Sequence, residues 1–170
     1  MKFDIFYLHI HIHTYIQTSQ SLKINQGVTK PFKTYRGVRQ GCILSPRLFN
    51  LFINDLPDIF DEECDPVKIG GKQKLSCLMY ADDLILLSES PQGLQNCLDR
   101  LKEYTYDWDL SLNLKKTKIM VFQRGGAKCK TKFFFGHNVV EYTTQYKYLG
   151  TIITDSGNFK LNNVNVKKRG

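Results

Sequence analysis

Scarcities narrow what this 170-residue chain can be. It has five prolines, no internal repeat and no Pro-, Gly- or Ser-rich linker, so nothing marks a boundary between two domains. At this length, with 42% hydrophobic residues, it can bury one ordinary core but not several. No apolar run reaches transmembrane length, and Asp4 with three histidines interrupts the apolar start MKFDIFYLHIHIHTYIQ, which excludes a signal-peptide core and predicts no membrane partner. The five cysteines, Cys42, Cys64, Cys77, Cys97 and Cys129, are odd in number and form no CxxC pair. That argues against a disulfide frame and a zinc knuckle, and predicts reduced thiols inside the cell, the nucleus being one candidate location.

Acidic residues are scarce in one half. From Leu112 to Gly170 only Glu141 and Asp155 oppose twelve Lys or Arg, a net +10, so the first 111 residues are slightly acidic within the overall +8. Lys115, Lys116, Lys118, Arg124, Lys128, Lys130 and Lys132 form the densest cluster, with Phe122, Phe133, Phe134 and Phe135 among them. Such a surface suits a polyanion through phosphate contacts; simple solubility and a solvated strand face remain open as alternatives.

The pattern that is present is mixed α and β. Short strands are expected at Leu22 to Asn25, Phe32 to Arg36, Val67 to Ile69, Lys74 to Tyr80, Leu84 to Ser88, Ile119 to Phe122, Lys132 to Phe135 and Tyr146 to Ile153. Ser45-Pro46 reads as a cap and first helical residue, followed by Leu48, Leu51, Phe52 and Leu56 at helical spacing until Pro57. Ser90-Pro91 repeats the signature before Leu94, Leu98, Leu101, Thr105 and Trp108. The architecture this predicts is α+β, an antiparallel sheet with helices on one face. His9, His11 and His13 alternate, so on a strand they share a face and could hold a metal; a peripheral strand or a tail explains them as well. The acidic run Asp58, Asp61, Glu62, Glu63 and Asp65 lacks the ligand alternation and central glycine of an EF-hand and reads as a solvated helix end.

One segment resists such readings. In LMYADDLILLS two adjacent carboxylates, Asp82 and Asp83, sit between apolar strands, where burying either without compensation costs several kcal/mol. A divalent cation supplies the compensation, and Mg²⁺ suits hard oxygen ligands on a tight turn. Upstream, in GVRQGCILSPRLFNLFINDLP, Gly37 and Gly41 permit close backbone approach to a ligand, while Arg39 and Gln40 offer donors.

Together these segments resemble the ordered blocks of reverse transcriptases from non-LTR retrotransposons, over roughly Leu22 to Gly157. GVRQGCILSPRLFNLFINDL resembles the template and nucleotide pocket, YADD the metal-binding turn, LSLNLKKTKIMVF (Leu110 to Phe122) the following block, and YKYLGTIITDSG (Tyr146 to Gly157) the primer grip. The resemblance implies a polymerase palm-like sheet, Mg²⁺ on Asp82 and Asp83, and a two-metal transfer of nucleotides onto a primer 3′ hydroxyl. It implies Arg39, Gln40 and Gly41 at the nucleotide and template, and Lys116 at the departing pyrophosphate. Tyr80, Tyr148, Leu149 and Gly150 would meet primer or template. The partners it implies are an RNA template, a DNA primer and dNTPs.

The chain also departs from that family. A further metal-binding aspartate is expected upstream of Gln40, where Asp4 is the only acidic residue and lacks the expected context. Fingers and thumb look incomplete. The sequence therefore divides into an unassigned segment at residues 1–20, a partial reverse transcriptase palm at 21–157, and a basic tail or start of a thumb at 158–170. On this reading the isolated chain is inactive, or is a nucleic-acid-binding remnant of a decayed retroelement. A third reading is a decayed product without a stable fold, because a palm without its upstream strand exposes an unpaired sheet edge.

Overall fold

The computed structural model describes residues 3–11, 18–21, 23–24, 27–34, 43–122, 129 and 131–157. It opens with strand β1 (Phe3–His11), followed by the short strands β2 (Thr18–Gln20), β3 (Lys23–Ile24), β4 (Gly27–Val28) and β5 (Phe32–Thr34). Helix α1 (Ser45–Phe52) leads through two 3₁₀ turns to the hairpin β6 (Val67–Ile69) and β7 (Gln73–Leu75). The hairpin β8 (Cys77–Tyr80) and β9 (Asp83–Ser88) precedes helix α2 (Pro91–Asp107). Then come β10 (Ser111–Leu112), β11 (Lys118–Phe122), β12 (Phe133–Phe135), β13 (Asn138–Tyr142), β14 (Gln145–Tyr148) and β15 (Thr151–Thr154).

The main sheet has the order β12-β13-β11-β1-β9-β8, with β10 pairing the far end of β1. It is antiparallel except for β11 and β13, which run parallel, a departure from the expected wholly antiparallel sheet. β1 is not peripheral. It lies between β9 and β11, pairing Ile5 with Leu87 on one side and with Met120 on the other. Its composition suits a strand with a neighbour on each side: the apolar residues Phe3, Ile5, Phe6, Leu8 and Ile10 fall at odd and even positions alike. The edge of β9 expected to lie open is therefore paired.

Helix α2 shows how local sequence sets an element. Ser90, in extended backbone, accepts a hydrogen bond from the Gly93 amide at 3.1 Å, and Pro91 follows where no amide donor is needed. Leu94, Leu98 and Leu101 are fully buried against Leu84 and Leu86 of β9, Ile119 of β11 and Phe133 of β12. Gly93 is required by proximity: a β-carbon there would sit 2.5 Å from Asp65 Cβ and 2.6 Å from the Cys64 carbonyl and Ser88 Oγ. In α1, by contrast, Leu44 rather than Ser45 takes the capping position, and no side chain caps the helix. Its Phe49 joins the same core, so both α-helices cover the Leu84/Leu86 face of the sheet.

The opposite face of β9 presents Ile85 and Leu87 to Val67, Leu75 and Tyr148, so the small hairpins β6–β7 and β14–β15 cover it. The stretch expected as one strand from Tyr146 to Ile153 is two, joined by Leu149 and Gly150 with φ of 46° and 85°, the paired left-handed residues of a tight hairpin turn. The expected strand at Lys74 to Tyr80 is likewise broken at Ser76, whose carbonyl accepts from the Leu87 amide at 2.7 Å. The acidic run is laced to the fold: Arg100 pairs with Asp61 at 2.8 Å and Glu63 at 2.7 Å, and Lys74 with Glu62 at 2.5 Å. Cys64, Cys77 and Cys97 are unbridged thiols. No helix among the described residues is long and apolar enough to cross a membrane.

Candidate active site

The β8–β9 hairpin pairs Tyr80 with Asp83, leaving Ala81 and Asp82 as its two-residue turn. Ala81 has φ of 52°, a left-handed conformation that costs an L-residue about 1–2 kcal/mol and that glycine would adopt freely. Asp82 and Asp83 are half-buried, and Tyr80 is exposed. Two carboxylates thus stand at the rim of the sheet, neither sunk in the core nor fully in solvent.

Tyr148 lies close by. It packs against Ile85 and Leu87, and its phenol is held above the ordinary tyrosine range first by burial and then by the negative charge of Asp83. The Leu149-Gly150 turn beside it is exposed. A small cleft next to Tyr148 is lined by Ile85, Lys118, Met120, Tyr146 and Ile153.

Lys116 reaches the same end of the sheet by a different route. It closes a turn, its amide donating to the Asn113 carbonyl at 3.0 Å, and its own carbonyl accepts from the Tyr146 hydroxyl at 3.0 Å. Two residues on, Lys118 opens β11 level with Ile85, because both pair with Tyr7 of β1. The Lys116 side chain is exposed.

Of the residues singled out in the sequence, Asp82, Asp83, Tyr80, Tyr148, Leu149, Gly150 and Lys116 gather at one end of the sheet, whereas Arg39, Gln40 and Gly41 lie outside the described residues. The basic cluster with interleaved aromatics is less of a surface than it looked. Phe133 and Phe135 are core residues, Phe134 alone of that trio is exposed, and Lys118 is paired with Glu141. Arg124, Lys128 and Lys130 lie outside the described residues.

Asp4 pairs with Ser88, five pairs along β1 from Asp83, roughly 17 Å away at strand rise. It cannot share an ion with the turn. Among the residues whose side chains are described, no group of three His, Cys, Asp or Glu could hold a metal ion.

Comparison with known proteins decides the family. The model for "Reverse transcriptase (RNA-dependent DNA polymerase)" matches residues 1–153, a span that includes β1. The chain belongs to the reverse transcriptase family. It is 31% identical over 131 residues to the Pol polyprotein of the type-1 retrotransposable element R2 of Nasonia vitripennis, covering 72% of this chain and 13% of that protein. It is 30% identical over 158 residues to the Pol polyprotein of element R2DM of Drosophila melanogaster, covering 88% of this chain and 15% of that one. With the RNA-directed DNA polymerase of the mobile element jockey of Drosophila funebris the identity is 29% over 130 residues, 73% of this chain and 14% of the relative. The chain thus spans about a seventh of the length of these non-LTR retrotransposon relatives.

The strand that runs beside the Asp83 strand was not legible in the sequence. The sequence leaves residues 1–20 unassigned, yet strand β1 within them runs alongside β9, with His9 paired to Asp83. The usable signal was the alternation of apolar and histidine residues, which marks a strand but not its partner.

Proposed function

We propose that this chain is the palm-like part of an RNA-directed DNA polymerase, in which the Ala81–Asp82 turn presents carboxylates for Mg²⁺-dependent nucleotide transfer onto a primer 3′ hydroxyl. The observation that carries this reading is the strained, half-buried Asp82-Asp83 tip with Tyr148 packed against the strand that holds it, in a chain that matches the family over residues 1–153. Asp82 and Asp83 suit Mg²⁺ as hard oxygen donors, with Asp82 the principal ligand. The ion, when bound, would polarise the attacking hydroxyl and neutralise the leaving pyrophosphate.

The chain's own residues have separable tasks in this reading. Tyr148 and the Leu149-Gly150 turn support the primer end next to Asp83. Lys116, exposed on the turn that precedes β11, offers positive charge to the phosphates of a departing pyrophosphate. Arg39, Gln40 and Gly41 are proposed to meet the dNTP and the RNA template. The described residues supply acidic ligands from one hairpin alone, so the isolated chain is expected to have little or no polymerase activity. An RNA-templated, Mg²⁺-dependent primer-extension assay on the purified chain tests this: robust extension that disappears in Asp82→Ala would refute the inactivity while upholding the site.

A second reading is favoured by the net +10 of residues 112–170: a non-catalytic nucleic-acid-binding remnant acting inside the cell. It predicts RNA or DNA binding that weakens steeply with added salt and ignores Mg²⁺ and dNTP.

A further inference from the structure

Three cysteines meet on the helical side of the sheet, away from the carboxylate tip. Cys64 ends the 3₁₀ turn Glu62–Cys64, and Cys97 lies within α2. Both are fully buried members of the core, with Cys77 of β8 half-buried against the same core. Their surroundings hold the first two together. Gly93, one helical turn before Cys97, lets the Cys64 backbone press on α2, since a β-carbon there would lie 2.6 Å from the Cys64 carbonyl. Asn96 donates to the Glu63 carbonyl at 2.7 Å, and Arg100 pairs with both Asp61 and Glu63. The turn that carries Cys64 is thereby tied to the helix that carries Cys97. The two thiols share a hydrogen bond, and Cys97 Sγ also lies 3.9 Å from the Cys64 carbonyl oxygen. Sulfurs that already meet have their side chains aimed at each other, which is the condition a disulfide requires.

We propose that Cys64 and Cys97 are an oxidative modification site, a dithiol that closes to a disulfide when a peroxide reaches it. The hydrogen bond from Cys97 holds the Cys64 thiol below the ordinary cysteine range in spite of burial, which makes Cys64 the attacking sulfur. Cys77, which burial holds at about 11, stays protonated and is the weaker nucleophile. The Cys64 thiolate attacks one peroxide oxygen, the O–O bond breaks, and the departing hydroxide takes up a proton as water. Cys97 then attacks the resulting sulfenic sulfur; the S–S bond forms, the S–O bond breaks, and the second hydroxide leaves with the Cys97 proton as water. Two thiols are oxidised and one peroxide becomes two waters. Access is through the 3₁₀ turn itself: Asp61, Glu62 and Glu63 are exposed, so opening one short turn uncovers Cys64. The consequence follows from position. The bond joins residues 33 apart and closes a loop that holds both hairpins from β6 to β9, the Asp82-Asp83 turn among them. Oxidation thus staples the carboxylate hairpin to α2.

The test uses the full reduced chain and hydrogen peroxide as the probe. After exposure, the chain is denatured, its remaining thiols are alkylated, and its peptides are mapped by mass spectrometry without reduction. A peptide pair linked through Cys64 and Cys97 is expected, in a chain that still runs as a monomer on a non-reducing gel. The urea midpoint should rise by at least about 0.5 M and return when dithiothreitol is added. Cys97→Ala should abolish the rise, whereas Cys77→Ala should retain it. Mapping of the unsubstituted chain decides the pairing even where a variant fails to fold. Cys64 and Cys97 both still free after prolonged millimolar peroxide, either one oxidised singly to the sulfinic acid, or either one linked to Cys77 instead, overturns the site. A Cys64–Cys97 link that leaves the urea midpoint unchanged overturns the stapling.

Discussion

On one face of β9, Leu84 and Leu86 meet two helices and the fully buried Leu94, Leu98 and Leu101; on the other, Asp83, Ile85 and Leu87 meet two short hairpins and a tyrosine that senses a carboxylate. The first face is deep, apolar and tightly fitted. The second is a thinner cluster that ends in charge. A single strand thus carries the stability of the domain on its even-numbered residues and its candidate chemistry on the odd ones, and the alternation of side chains keeps the two tasks apart.

The largest expected effect sharpens that division directly. Leu86→Ala and Ile85→Ala should both cost within about 2–5 kcal/mol, with Leu86 nearer the top because its surroundings are more fully packed. Urea denaturation of the two variants measures it; equal losses would mean the faces share the load. Next in size is Gly93→Ala, where the added methyl collides with backbone and side chains that pin α2 to the sheet. A loss of about 1–3 kcal/mol is expected in the same assay, in spite of alanine's better helix propensity.

Smaller and opposite in sign is Ala81→Gly. Relief of the left-handed strain should raise stability by about 0.5–1 kcal/mol, partly offset by glycine's freedom in the unfolded chain. If the strain is used at the carboxylate tip, ion binding should weaken as stability improves, a combination that a merely tolerated defect would not produce.

The smallest effect is read at alkaline pH. Tyr148 has its phenol raised in the fold, so its neutral form favours the native state: that contribution is complete below the ordinary tyrosine value near 10 and is lost as pH rises through the higher folded value. Removing the nearby charge in Asp83→Asn should lower the folded value, so that the loss is complete at a lower pH, with burial alone remaining. Ultraviolet titration of the tyrosines monitors it, and an unchanged curve would separate Asp83 from Tyr148. Cys77, which burial holds at about 11, loses its contribution as pH climbs from 9 toward that value in both proteins.

Much of the site was legible in the sequence because its signals are local. Two carboxylates between apolar strands already implied a hairpin tip, and Ser90-Pro91 with leucines at helical spacing already implied α2. Partner choice was not legible. Nothing near Phe3–His11 says that its neighbours will be strands far downstream, since strand alternation gives a face and not a mate. The turn at Leu149 was hidden for another reason: a non-glycine residue with positive φ leaves no compositional mark, though Gly150 after it was a hint. Gly136, with φ of 60°, similarly marked the β12–β13 turn that went unread. That turn brings β13 back beside β11, where the two run parallel.

The central place of β1 has a consequence for how the chain comes into being. Ile5 pairs with Leu87 and with Met120, contacts that span roughly 80 and 115 residues and belong to the class that slows folding. Synthesis delivers this strand before either of its two neighbours, β9 and β11. Throughout that interval both of its edges are open to any other strand within reach. The molecule's vulnerable moment is therefore its synthesis: a second nascent copy could capture the strand before its own sheet is ready, and a chaperone that shields Phe3–His11 would raise the yield of native protein.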